Sequence, residues 1–279
     1  MIIDFHAHVL PPDIKKDRSR YVGKDSNFSL IYGDKQNKIV TAEDLIQNMD
    51  RESVDVSVIV NYGWSTHELC VQVNEYLMDA VHRFPKRLIG FGAVADYNSD
   101  KSLAEIERFA HGGLRGVGEL RPDCQPPGFA QKKALEPFVK LLRDHKLFLM
   151  THSSDPVGHI YAGKGIATPG LLYWFISSFP DITMICAHWG GGLPYYALMP
   201  DVQKDLTNVY FDTAISPFLY RPEIYKQVSG LVGADKILFG SDFPVIAPGR
   251  IINEINASAL TEDEKNKILS GNARRLLGL

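Results

Sequence analysis

Residues 1–10 read "MIIDFHAHVL" and place ionisable side chains inside what should be a buried strand. Ile2, Ile3 and Phe5 form a short apolar run of strand-forming residues. Side chains alternate across a strand, so Asp4, His6 and His8 are expected on one face and Ile3, Phe5 and Ala7 on the other. Burying polar groups of this kind without partners costs roughly 1–3 kcal/mol each. A core hydrogen bond would settle one histidine. Two at i and i+2 project side by side and can bind a single cation. A bare His-x-His pair is common by chance, so its companions decide its meaning.

Working outward, seven more apolar runs follow: "VDVSVIVN" (54–61), "LIGFGAVA" (88–95), "GLRGVGEL" (113–120), "LFLMTH" (147–152), "ITMICAH" (182–188), "NVYFDTA" (208–214) and "KILFGSD" (236–242). Amphipathic or capped segments lie between them. "TAEDLIQNMDRE" begins with Thr41 as N-cap and Asp44 three residues on, an approximate capping box. "SLAEIERFAHGG" ends in the paired glycines of a helix C-terminus. "LPYYALMPDVQKD" is expected to be helical. The strand runs are rich in Val, Ile, Leu and Phe without strict alternation, as parallel strands covered on both faces should be. Eight strand–helix units predict an α/β fold, a single-domain (β/α)8 TIM barrel over residues 1–279. The G-x-G-x-x-G fingerprint is missing after the first strand, which weakens an open dinucleotide-binding sheet. Residues 9–40 interrupt the rhythm as a long polar insertion at the C-terminal face. Within it, "SLIYGDKQNKIV" suggests a small hairpin around Gly33–Asp34, and the insertion would serve as a lid or as the contact of a homodimer.

Composition narrows the function classes. The net charge is −3 and charged residues make up 23% of the chain, which argues against a nucleic-acid or membrane-surface partner. No apolar run is long enough to span a bilayer, and Asp4, His6 and His8 occupy the place of a signal peptide's hydrophobic segment. The three cysteines, Cys70, Cys124 and Cys186, lack metal-knuckle spacing and read as reduced thiols of a cytoplasmic protein.

The residues that close the strands are the strongest signal. His6 and His8 end the first, Glu119 the fourth, His152 the fifth, His188 the sixth and Asp242 the eighth. All six are metal-ligand or acid–base types, and barrel active sites form at this rim. His67, His82, His111, His145 and His159 scatter elsewhere and read as surface or packing residues.

With "DFHAH", "MTHSS", "CAHWGGG", "FGSDFP" and the ending "GNARRLLGL" in this order, the whole chain resembles the amidohydrolase superfamily. In particular it resembles the amidohydrolase family 2 branch that contains the aminocarboxymuconate semialdehyde decarboxylase-like proteins. The resemblance implies that His6, His8, His152 and Asp242 bind a divalent metal. It makes His188 either a ligand of a second metal or a catalytic group beside a single one. "GVGELRPD" is similar to the fourth strand of the TatD-like deoxyribonucleases, where the glutamate is a metal ligand, which would make Glu119 one here. Many decarboxylase-like relatives have no carboxylate there, and an ion pair of Glu119 with Arg115 or Arg121 is the structural alternative. The fourth strand offers no lysine for carbamylation.

Imidazoles and carboxylates suit zinc first, with manganese or iron as alternatives, in one or two ions. A metal with an open position lowers the pKa of bound water from 15.7 towards about 7. Asp242 would then take the proton and His188 would polarise a carbonyl. The leading expectation is therefore hydrolysis of a small carbonyl compound, a lactone, ester or amide. The alternative is non-oxidative decarboxylation of an unsaturated or aromatic acid on the same site. A nuclease is disfavoured by the acidic balance, and a non-catalytic barrel by the intact ligand set. For a carboxylate substrate, Arg121, Lys164, Arg221 and Arg250 are candidate binders, and Trp189, Tyr62 and Phe243 could stack on a planar ring.

Overall fold

A computed structural model describes residues 1–161 and 163–279. The eight apolar runs form β1 (Ile3–Ala7), β2 (Val56–Val60), β3 (Leu88–Gly92), β4 (Gly116–Leu120), β5 (Phe148–Thr151), β6 (Met184–Cys186), β7 (Val209–Asp212) and β8 (Ile237–Leu238). They make one eight-stranded parallel sheet in the order β1 to β8. The seam between its ends is bridged by Phe5 N–H to Phe239 O (2.7 Å), Asp242 N–H to His6 O (2.8 Å) and His8 N–H to Phe243 O (2.7 Å). The result is the expected (β/α)8 barrel. Among the described residues, no helix is long and apolar enough to cross a membrane.

The strands are buried almost throughout, which explains their unbroken apolar character. Phe5 of β1, Phe91 of β3 and Phe148 of β5 meet with centroids 5.9 Å apart at each contact, so side chains of alternate strands fill the interior. A second apolar layer joins strands to helices, with Leu45, Val73, Phe109, Phe138 and Phe175 among its fully buried members. The helix Ala42–Glu52 begins with the capping box that Thr41 and Asp44 announce.

Three local expectations change. First, strict alternation does not hold through β1. Asp4 pairs with Ser57 and Ala7 with Ile59, so three steps on β1 face two on β2, a bulge. The same shift occurs in β4, where Val117 pairs with Leu149 and Leu120 with Thr151. Second, the expected hairpin in the 9–40 insertion is absent. Ser26–Tyr32 is a helix whose N-cap Asp25 accepts from Phe28 N–H at 2.9 Å. Phe28 and Tyr32, one turn apart, both pack on Trp64 at 5.6 and 6.3 Å, a contact only the helical spacing allows. Third, His188–Leu198 is a run of 3₁₀ turns rather than the start of a helix. Residues 188–192 all have φ between 55° and 90°. At Gly191 a Cβ would sit 2.5 Å from the Ser154 carbonyl oxygen, so only glycine allows this close approach.

Candidate metal centre

The bulged end of β1 brings the His6 and His8 rings to a centroid distance of 5.0 Å. Each ring is oriented through Nδ1. His6 Nδ1–H donates to Asp212 Oδ2 at 2.8 Å, and His8 Nδ1–H donates to the Val60 carbonyl at 3.1 Å. That leaves both Nε2 atoms turned inward, 3.0 Å apart. Two imidazole lone pairs at this distance repel unless a cation lies beside them. Carboxylates complete the group. Glu119 Oε2 is 3.5 Å from His6 Nε2 and 3.4 Å from His8 Nε2. Asp242 Oδ1 is 3.7 and 3.1 Å from the same nitrogens and has no hydrogen-bond partner.

The other oxygen of Glu119 faces a second set. Oε1 is 3.0 Å from His152 Nδ1 and 3.1 Å from His188 Nε2. His152 Nε2 lies 3.1 Å from the Ser154 hydroxyl. His6, His8 and Glu119 thus make one group with metal-ligand spacing, and Glu119, His152 and His188 another. The donor chemistry, imidazole nitrogen and carboxylate oxygen, fits a divalent transition metal.

Charges in the cluster depend on one another. Burial disfavours a charged His6, but Asp212 and Glu119 outweigh it and hold its pKa well above the usual range. Against the same burial, the Asp242 and Glu119 carboxylates raise His8, and Glu119 raises His188. Burial would raise Glu119, yet His6, His152 and His188 hold it well below the usual carboxylate range; against the same burial, His8 and His6 lower Asp242. At His152 burial prevails and its pKa falls. Both carboxylates therefore stay ionised in an interior that demands positive charge nearby.

All six strand-end residues converge, and neither arginine takes Glu119 away. Arg115 Nη1 donates to the Leu277 carbonyl at 2.6 Å, and Arg121 Nη2 lies 3.3 Å from Asp123 Oδ2. The site opens into a cavity of about 630 Å³ whose wall includes Tyr32 and Asn37 of the insertion, Tyr62, Arg121, Tyr161 and Phe218. The Tyr62 ring stacks on His8 at 4.0 Å and 7°. His159, expected on the surface, also borders this cavity.

Most of the other expected substrate contacts lie elsewhere. Trp189 is fully buried, donates to Ser216 Oγ at 2.7 Å and packs edge-on against Tyr225, because the left-handed turn at 188–192 sends successive side chains in different directions. Lys164 Nζ donates to the Val157 and His159 carbonyls of its own loop, and Arg250 sits over the Phe218 ring at 5.3 Å; neither lines the cavity. Arg221 is solvent-exposed near Glu223, and Phe243 packs against the core. Of the four cations, only Arg121 reaches the cavity wall.

Two residues that contact the cluster are not anticipated from the sequence. Asp212 orients His6 through Oδ2 and accepts from the His188 and Ala214 N–H groups through Oδ1, at 2.8 and 3.0 Å. It ends β7 in "NVYFDTA", so a carboxylate at a strand end was there to be noticed. Ser154, two residues past His152, has no such signal.

A family model described as amidohydrolase matches residues 3–279. The 2-amino-3-carboxymuconate-6-semialdehyde decarboxylase of Dictyostelium discoideum is 21% identical over 99% of this chain and 91% of its own. The γ-resorcylate decarboxylase of Rhizobium radiobacter is 24% identical over 76% of each chain. Among solved structures, the 5-carboxyvanillate decarboxylase of Novosphingobium aromaticivorans superposes with a TM-score of 0.79 at 18% identity, covering 100% of this chain and 97% of that one. That enzyme was solved with manganese and 3-methoxy-4-hydroxy-5-nitrobenzoic acid bound.

Proposed function

The chain belongs to the amidohydrolase family, and from that premise we propose that it catalyses metal-dependent, non-oxidative decarboxylation of a small unsaturated or aromatic acid. Hydrolysis, the leading expectation from sequence, gives way because the relatives that match most of the chain are named as decarboxylases of such acids. The observation that carries the reading is the buried set of His6, His8, Asp242 and Glu119 at the floor of a cavity walled by Tyr32, Tyr62, Tyr161 and Phe218. Aromatic walls suit a flat, conjugated substrate.

His6, His8, Asp242 and Glu119 Oε2 would hold a divalent ion, and Glu119 Oε1 with His152 and His188 offers a second position. Manganese and zinc both suit these donors. The ion supplies Lewis-acid stabilisation of negative charge on the substrate. Asp242, ionised in the free site and on the cavity wall, takes up a proton from solvent as the substrate enters. It delivers that proton to the carbon bearing the carboxyl group; a C–H bond forms, the C–C bond breaks, its electron pair stays with the conjugated system, and CO₂ leaves. His188, held by Asp212 at its backbone, steadies the negative charge that develops on the substrate. Hydrolysis by an activated water stands as the second reading, favoured by Glu119, a carboxylate that many decarboxylase-like relatives lack.

The test is turnover by metal-depleted protein reloaded with manganese or zinc. Release of CO₂ from γ-resorcylate or related carboxylated aromatics only after reloading is the expected result. Metal-dependent opening of lactones without CO₂ release would install the hydrolase reading instead, and full activity in chelated protein would end both.

A further inference from the structure

Arg121 follows β4 two residues after Glu119 and lies on the wall of the same cavity, yet its side chain is only 4% exposed. Its Nε has no hydrogen-bond partner. The one carboxylate it touches is Asp123, through Nη2 at 3.3 Å. A guanidinium has five N–H donors in a fixed fork, and a buried one with open donors is costly unless something else takes them. Asp123 stands behind Arg121, off the cavity wall, and its Oδ2 is tied to the next loop by Ile166 N–H at 3.0 Å.

The loop after β5 is shaped around this pair. A Cβ added at Gly165 would lie 1.9 Å from Asp123 Oδ2 and 2.6 Å from Arg121 Nη2. Gly165 is not in a left-handed conformation, so its requirement is space for the Arg121–Asp123 pair rather than backbone freedom. Gly165 N–H also donates to Ser154 Oγ at 3.0 Å, the hydroxyl that contacts His152. The guanidinium is therefore clamped from behind and oriented relative to the metal-binding floor. Lys38 and His159 also border the cavity, but both are exposed to solvent and lack this support.

We propose that Arg121, braced by Asp123 and by the space at Gly165, is the receptor for a carboxylate on the substrate distinct from the group held at the His6–His8–Glu119–Asp242 cluster. The substrate class this implies is a small diacid, or an acid with a second anionic group. The inference rests on the reading of the cluster as the place where the rest of the substrate binds.

Calorimetric titration with two probes of nearly identical shape tests it. Benzene-1,3-dicarboxylate carries two carboxylates; 3-carbamoylbenzoate replaces one with a neutral amide. Manganese-loaded wild type is expected to prefer the diacid by about tenfold or more, because a charge-assisted fork is lost in the amide. Arg121→Met should abolish the preference, Arg121→Lys should keep part of it, and Gly165→Ala should behave like Arg121→Met by displacing the guanidinium. Metal content of the same samples should not change with Arg121→Met. Equal affinity of wild type for both probes, no binding of the diacid, or a preference that survives in Arg121→Met would each overturn the proposal. If wild type takes up no metal, the reading of the cluster fails, whereas the Arg121-dependent preference is still expected in the metal-free protein and is judged there.

Discussion

Each oxygen of Glu119 faces a different set of imidazoles, Oε2 towards His6 and His8, and Oε1 towards His152 and His188. A neutral amide in the same place would present a donor to lone pairs and remove one full negative charge from the cluster. Glu119→Gln is therefore expected to lower metal affinity by more than the roughly 10- to 100-fold that loss of an outer-shell partner costs. If the site holds two ions, the bound equivalents per chain, read by elemental analysis, should fall towards one. Unchanged metal content would reduce Glu119 to a structural hydrogen-bond acceptor. At this scale Asp212 works beside it, since its two oxygens hold the His6 ring and the His188 backbone at once.

Among the elements, the bulges of β1 and β4 lie next to the cluster side chains they present, His6 and Glu119. A bulge re-aims side chains that simple alternation would send elsewhere, which is why such irregularities gather at active sites. The helix Ser26–Tyr32 matters for a different reason: it carries Tyr32 into the cavity wall. Asp25 holds its start, accepting from Phe28 N–H at 2.9 Å and from the Thr66 N–H and hydroxyl at 2.8 and 2.9 Å. Asp25→Ala removes a cap and leaves these donors open, at a cost of about 1–3 kcal/mol. Denaturant melts should show that loss, and hydrogen exchange should show faster opening confined to residues 26–32. Exchange unchanged there would mean that packing on Trp64 alone holds the helix.

For the molecule as a whole, the seam between β8 and β1 joins the two ends of the chain's barrel. Asp4 bolts it from inside. Its carboxylate accepts from Ser241 N–H at 2.9 Å, from Ser241 Oγ–H at 2.5 Å and from His6 N–H at 3.1 Å. Complete burial pushes its pKa up to about 6 against those hydrogen bonds, a sign of how fully water is excluded there. Asp4→Ala would strand the Ser241 donors in the interior, and at about 1–3 kcal/mol for each unsatisfied group the protein should lose about 3 kcal/mol or more. Equilibrium unfolding measures this directly; a loss under about 1 kcal/mol would show that backbone pairing alone closes the barrel. Because Ser241 and Asp242 are adjacent, the same variant is expected to weaken metal binding.

By itself the sequence determined the eight strand–helix repeats and the set His6, His8, Glu119, His152, His188 and Asp242. Apolar periodicity and residue type at strand ends are local properties, and a parallel barrel gathers all its strand ends on one rim. The hairpin expected in residues 29–40 failed because helix and strand compete closely in a short apolar run, and the buried Trp64 face, far along the chain, settles it. Trp189 could not be told from a cavity residue until the left-handed turn at 188–192 was known. The partners of Arg121 were likewise invisible: Asp123 is near in sequence, but Gly165 arrives from another loop, and only closure of the barrel brings them together. Strand order and residue type are written along the chain, whereas register shifts, side-chain direction and contacts between distant loops exist only once the barrel has closed.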